Sequence, residues 1–514
     1  MLSNSILLLL LAGLWDVSAA PQQIPLQVPA TTIKKLKGRF LHITDMHPDP
    51  SYHPKTSEST ACHRKKGKKK KNRAGYYGTP YSECDSPMRL TNFTLDYIEK
   101  KWGSEIDFVI WTGDNARHDN DHKLPRTPQE IYDLNRAIAS KMTAVFTSRG
   151  IPVVPSLGNN DNIMIPGPNS ITNEFSSIWQ TFIPFPFHQI FQRGAYHAVE
   201  VVPDSLAVIS LNTMYFYDSN KAVGGCEFKD RGDAGNLQFD WLEVQLKGFR
   251  ARGMQVRHVP PSPGNYFPEC YVRYAELALR FQDTIVGHVY GHMNADHFFF
   301  LEADDLQLRD TESLKKQKAD LYQTLMADFA AMPTAKNTNL DDYAVVNVAP
   351  AVVPNPYLPT FRIFSYNTLG RKHGHPRGGG KDKEAQCKLE ENRDTWKCQL
   401  NEPWHSDPKS PSRSNQLWTP LGYSQYYIPH LEEANKTHPP SFKLEYVTFG
   451  RDTLEGSDGV FPVPRKNLPS NLKARQTPYE MKDLTVGSWI GIAREISDST
   501  KKKLFRRYMY QEVP

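Results

Sequence analysis

The chain has 514 residues, enough for one large core and a smaller region. With 39% hydrophobic and 23% charged residues, it has the composition of a globular protein carrying a net charge of +6. Beyond Trp15 no apolar run is long enough to span a bilayer, and no C-x-x-C spacing points to a cysteine metal site.

In chain order, residues 6–15 are apolar and suit the core of a signal peptide, with small residues at 17–20 for cleavage. No Lys or Arg precedes them, so residues 1–20 are read either as a signal peptide or as a retained signal anchor. In both cases the body of the chain enters the secretory pathway. Residues 21–34 resemble a linker. From 38 to 368, strands and helices alternate, which predicts an α/β catalytic domain. A strand at 40–43 ends at Asp45. Ser86 as N-cap and Pro87 as first helical residue predict a helix to Trp102, stopped by Gly103. A strand at 108–111 ends at Asp114. The capping box Thr127-Pro128-Gln129-Glu130 opens a helix, and a strand at 153–157 ends at Asn159. Strands at 196–202 and 206–211 precede helices at 236–252 and 271–281. A strand at 284–290 runs into His292, with 297–301 expected as its hairpin partner. A helix at 311–332 and a strand at 361–366 follow. Residues 369–416 are polar and breaker-rich and read as a flexible linker or insert. Residues 417–514 form a C-terminal extension expected to pack on the catalytic domain.

The six cysteines suit an oxidising compartment and fall as neighbours: Cys62 and Cys84, Cys226 and Cys270, Cys387 and Cys398. Sequential pairing is the simplest of the about 15 connectivities that six cysteines allow. Asn92 and Asn435 head N-x-T sequons, which are possible glycosylation acceptors. Residues 64–73 read RKKGKKKKNR. The block is either a solvated disordered insert or a cationic funnel for a polyanion, with Lys68, Lys69, Lys70 and Lys71 as its densest part. No aromatic interleaving accompanies it, so it predicts no specific nucleic-acid partner.

The chemistry lies in five polar clusters, each placed after an apolar run: Asp45-x-His47, Gly113-Asp114, Gly158-Asn159-Asn160-Asp161, His258 and Gly291-His292-Met293-Asn294. In α/β sheets, ligands collect outside the carboxyl ends of strands. Carboxylate, amide and imidazole donors arriving together are what a two-metal phosphoester site needs, since two cations activate a water and neutralise phosphoryl oxygens. Asp45 and His47 reach one metal, Asp114 suits the bridge, and Asn159, His258 and His292 complete the second site. These donors admit Mn, Mg, Zn, Co or Fe.

The stretches FLHITDMHPDPSYH, FVIWTGDNARHDND, VPSLGNND, GNLQFDWLEVQLK, HVPPSPGNYFPECY and GHMNADHF resemble the calcineurin-like metallophosphoesterase superfamily and its acid-sphingomyelinase-like group. More closely they are similar to the fungal vacuolar endopolyphosphatase family. That resemblance implies a four-layer αββα fold with two mixed sheets flanked by helices. It implies two divalent metal ions, inorganic polyphosphate as substrate and a vacuolar, lumen-facing location with possible membrane association through the N-terminus. By position it implies Asp45, His47, Asp114, Asn159, His258 and His292 as metal ligands. His118 stands where the sphingomyelinase-like group places an acid or transition-state stabiliser.

Asn160 and Asn294 stand where many superfamily members carry His. An amide oxygen at 294 can still ligate a hard cation. A phosphate leaving group needs less protonation than an alkoxide, so Asn160 suits an anhydride substrate. A shortened strand before His258, with Arg257 in place of the small Gly, is a departure that threatens the second metal site. The competing readings are a sphingomyelinase-like phosphodiesterase and a polyphosphate-binding protein with a decayed site.

Overall fold

The computed structural model describes residues 35–69, 72–161, 171–252, 255–258, 265–306, 320–370, 396, 406–455, 462–498 and 501–511, with only the backbone path at 255–258. In chain order the strands are β1 (Arg39–Ile43), β2 (Pro48–Asp49), β3 (Ser86–Pro87), β4 (Phe108–Trp111), β5 (Val153–Pro155), β6 (His197–Val202), β7 (Leu206–Ser210), β8 (Gln255–His258), β9 (Ile285–Tyr290), β10 (His297–Glu302), β11 (Tyr343–Val348), β12 (Thr360–Tyr366), β13 (Pro420–Tyr427) and β14 (Lys443–Val447). One mixed sheet has the order β14-β13-β12-β1-β4-β5 and the other β10-β11-β9-β8-β7-β6.

Both faces of β1 are buried, as expected for a central strand covered on two sides. The side-chain period of two sorts its residues. Leu41 and Ile43, with Val109 and Trp111 of β4, join a core that includes Ile98, Trp102, Ile138 and Met142. Those last four come from the helices Met88–Trp102 and Pro128–Val145. On the opposite face Phe40 stacks on Phe108 and on Phe364, each at 4.9 Å between centroids. Ser210 of the second sheet donates to the Pro155 carbonyl and to Ser156 Oγ at the end of β5. Outside the second sheet, Phe298 of β10 meets Phe329 and Trp489 from the helices Leu321–Ala331 and Val486–Asp498. The chain is therefore mixed α/β, with two sheets flanked by helices.

β1, β4 and β5 run parallel, as do β7, β8, β9 and β11. Their carboxyl ends deliver the polar clusters. Two expectations are corrected. β10 does not pair with β9: β11 lies between them, parallel to β9 and antiparallel to β10. The run YAVVNV at 343–348 is buried throughout, and its apolar character suits a strand covered on both faces. Ser86 does not cap the first helix, because its N–H donates to the His47 carbonyl and it pairs with Pro48 in a two-residue parallel ladder. Pro87 takes the N-cap position without a side-chain bond. Thr127, by contrast, accepts from the Glu130 N–H at 3.2 Å, one half of a capping box, while the Glu130 carboxylate turns to Arg117. The tail supplies β13 and β14, which extend the first sheet beyond β12. No helix of the described residues is long and apolar enough to cross a membrane; residues 1–34, and the apolar run within them, lie outside the description.

Candidate metal centre

The loops after the parallel strands are laced together by backbone. Asp45 N donates to the Gly113 carbonyl and His47 N to the Asp114 carbonyl, both at 3.1 Å. Val352 and Val353 N–H groups cap the carbonyls of Thr44 and Asp45. Asp45, His47, Asp114, His292 and Asn294 all adopt positive φ, between 38° and 69°. Left-handed backbone at non-glycine residues costs on the order of 1 kcal/mol each and persists where surrounding structure enforces it.

The glycines of three clusters have a steric reason. A Cβ on Gly113, whose φ is +89°, falls 2.5 Å from Gly158 N. One on Gly158 falls 2.0 Å from Asp114 Oδ1, and one on Gly291 falls 1.8 Å from Thr44 Oγ1 and 2.1 Å from Asp45 Oδ2. Gly113 lets its loop press against the backbone at Gly158, while Gly158 and Gly291 let theirs press against the carboxylates of Asp114 and Asp45.

Asp45, His47 and Asp114 are buried and offer ligand atoms that all lie within 4.8 Å of one another. His47 Nε2 is 3.7 Å from Asp45 Oδ1 and 3.5 Å from Asp114 Oδ2, too far for hydrogen bonds. Its Nδ1 donates to the Ala116 carbonyl at 2.8 Å, so Nε2 is the nitrogen that can offer a lone pair to a metal. That buried Nε2 has no hydrogen-bond partner. Burial alone would lower the His47 pKa, but Asp45, Asp114 and Asp85 outweigh it and raise it to about 9. The cluster demands a positive charge, and its donor set fits a divalent metal. Burial opposes ionisation of Asp114, yet His47, His292 and the Asn160 N–H hold its carboxyl below the usual range.

The second predicted set is partly assembled. Asn159 Oδ1 accepts from His292 Nδ1 at 2.8 Å, and His292 N–H donates to both Asp45 oxygens at 3.1 and 2.9 Å. Asn294 Nδ2 donates to the Asn355 carbonyl, leaving a buried Oδ1 without a partner. His258 ends β8 in register with His288, two residues before β9 ends at Tyr290. Its side chain lies outside the description.

His118 stacks on the His47 ring with centroids 4.0 Å apart. Its Nδ1 and backbone N–H both donate to Asp85, at 2.7 and 2.6 Å. Burial opposes ionisation of Asp85, but His118 and His47 hold its pKa below the usual value. Asn160 donates through N and Nδ2 to the two oxygens of Asp114. Asp161 accepts from Asn115 N and Nδ2, Asn135 Nδ2 and Gly158 N, which pins the Asn159–Asn160 turn beside Asp114. Burial and the Asp114 charge raise its pKa to about 6 against those bonds. Asp85, Asp161 and Arg126 were not singled out by sequence. Only the position of Asp85 beside Cys84, and of Asp161 inside its cluster, offered a signal.

Cys62–Cys84 and Cys226–Cys270 are disulfides, as sequential pairing predicts; Cys387 and Cys398 lie outside the described residues. The basic block is thus tethered at both ends. It is folded where described, with bridges Thr56–Lys66 and Ser57–Arg73. Lys68 and Lys69 are exposed, and Lys70 and Lys71 lie outside the description. His63, at the foot of this loop, joins Asp49 at 2.7 Å and Asp121 at 2.8 Å, so the loop is buckled to the segments that follow His47 and His118. Asn92 sits on the solvent side of its helix, and Asn435 lies in an exposed turn where it accepts from Thr437.

A family model for calcineurin-like phosphoesterases matches residues 38–295. The chain is similar to proteins named endopolyphosphatase in several fungi. The one from Cryptococcus neoformans is 38% identical over 92% of this chain and 91% of its own length. Those from Schizosaccharomyces pombe and Neurospora crassa are 32% and 33% identical, covering 91% and 96% of this chain and 84% of their own lengths.

Proposed function

Because the chain belongs to the calcineurin-like phosphoesterase family, we propose that it is an endopolyphosphatase, a hydrolase that cleaves internal phosphoanhydride bonds of inorganic polyphosphate to shorter chains. The observation that carries the reading is the buried trio Asp45, His47 and Asp114, with a His47 Nε2 that has no hydrogen-bond partner.

Asp45 and His47 would hold one divalent metal, with Asp114 shared. Asn159, His292, His258 and the free oxygen of Asn294 would hold a second. Bound metals supply water activation and neutralisation of phosphoryl charge. The rest falls to the protein. Asp85 holds the Nδ1–H of His118 and so presents Nε2 to the substrate side, where the protonated ring would pass its Nε2 proton to the leaving group. Asn160 clamps both oxygens of Asp114 and so fixes how that carboxylate is presented. The loop bearing Lys68 to Lys71 concentrates a polyanion near the site.

The two disulfides and the apolar residues 6–15 support entry to the secretory pathway. We place the protein in the vacuolar lumen, with Asn92 and Asn435 as glycan acceptors and residues 1–20 as a signal peptide or anchor.

The test is a gel assay on long-chain polyphosphate with Mn²⁺ or Mg²⁺, beside Asp114→Asn. Expected are chains of intermediate length, little early free phosphate and an inactive variant. Intact polyphosphate under every metal would sink the reading.

A further inference from the structure

Arg126 has no assigned role, yet it lies one side chain from the candidate bridging carboxylate. Its Nη1 donates to the Asn160 carbonyl at 2.7 Å, to Asn160 Oδ1 at 3.3 Å and to the Arg117 carbonyl at 2.7 Å. Asn160 Nδ2 in turn donates to Asp114 Oδ2 at 3.2 Å. The two neighbours orient the amide the same way round, so one chain runs guanidinium, amide, carboxylate.

Neighbouring arginines are neutralised. Arg117 pairs with Glu130, and Arg64 pairs with Asp121. Arg126 has no carboxylate partner among the described residues, and its Nε and Nη2 make no hydrogen bond there. It is half-buried. Its backbone is fixed as well, since Arg126 N donates to Asp119 Oδ1, just after His118, and Thr127 caps the next helix. A held guanidinium with open N–H groups, next to a phosphoester centre and lacking a counter-ion, is a phosphate-binding group.

We propose that Arg126 is a substrate-binding residue that grips non-bridging oxygens of the phosphate unit beside the scissile bond. This rests on the phosphoester-hydrolase reading of the same centre. A polyphosphate chain carries negative charge on both sides of the bond. Cleavage adds charge to the departing phosphate, which a delocalised cation stabilises without giving up a proton. Arg126 therefore meets the charge of the leaving group through its open N–H groups, while Nη1 keeps Asn160 on Asp114.

The experiment is calorimetric binding of inorganic phosphate to the metal-loaded full chain, wild type against Arg126→Ala and Arg126→Lys, with KM and kcat on polyphosphate measured in parallel. We expect the phosphate Kd to rise about 10- to 100-fold in Arg126→Ala, with partial recovery in Arg126→Lys. KM is expected to rise more than kcat falls. A Kd within about twofold of wild type in Arg126→Ala, or a wild type that takes up no phosphate, overturns the proposal. So does a variant that loses kcat while its phosphate Kd is unchanged, because Arg126 would then only position Asn160. If Arg126→Ala does not fold, Arg126→Lys decides the matter. A wild type that binds phosphate but leaves polyphosphate intact sinks the choice of substrate and leaves the Kd comparison to judge Arg126.

Discussion

Three glycines do as much for this centre as the side chains that would bind metal. Gly291→Ala places a methyl 1.8 Å from Thr44 Oγ1 and 2.1 Å from Asp45 Oδ2, with the Asp45 side chain already committed to the His292 N–H. A displacement of about 1 Å costs on the order of 100-fold in activity. Gly291→Ala is therefore expected to lose at least that in kcat/KM and to fall in metal content by elemental analysis, with its circular dichroism unchanged. Asp85→Asn tests the His118 dyad. It leaves the ring free to take the wrong tautomer, and about a 100-fold drop in kcat is expected on a phosphodiester with a poor leaving group. The drop on polyphosphate should be smaller, because phosphate departs with less help; equal drops on both would refute an acid role for His118. Asp45, His47 and Asp114 were legible in sequence because each follows an apolar run that is a parallel strand. Asp85, Asp161 and Arg126 were not, since each acts through a neighbour brought close only by folding: His118, Asn115 and Asn160.

Among the elements, the disulfide-closed loop after β2 carries its own prediction. Reducing a 22-residue separation to an open chain removes a constraint worth about 3 kcal/mol by loop-entropy reasoning. The loop's lysines act at longer range. Lys68→Ala with Lys69→Ala is expected to raise KM for polyphosphate several-fold, to leave kcat unchanged and to flatten the dependence of KM on salt. A salt dependence identical to wild type would dismiss the funnel. At this scale the sequence was legible where capping and period spoke together, as in Pro128–Val145. It was illegible where pairing was non-local. The hairpin expected of β9 and β10 fails because β11 arrives about forty residues after β10 and takes the place between them. Likewise, nothing in the run from 420 to 447 announces that β13 and β14 will widen the first sheet rather than pack outside it.

Across the whole molecule, the last helix, Lys501–Met509, ends in a clasp. The Asp296 N–H donates to the Met509 carbonyl, and Gln511 bonds Leu358 N, Thr360 Oγ1 and Glu445. Gln511→Ala strands the buried Leu358 N–H and is expected to cost about 1–3 kcal/mol in chemical denaturation. Burial raises the Glu445 pKa from 4.5 to about 8, with Asp296 adding to it against Gln425, Gln511 and Arg362. Its folded form prefers the proton, so its stabilisation is full below pH 4.5 and is lost as pH climbs through 8. Glu445→Gln should therefore gain on wild type in Tm between pH 5 and pH 8, by about 2 °C or more; a constant gap would contradict the shift. The braces on Asp45 also have a consequence for biosynthesis. Its loop needs His292 N–H from one side and Val353 N–H from the other, and the segment beyond His292 is tied down by Met509. A chain still emerging from the ribosome lacks these partners until nearly all of it has been made. The braces of the hydrolytic centre are thus completed late in synthesis.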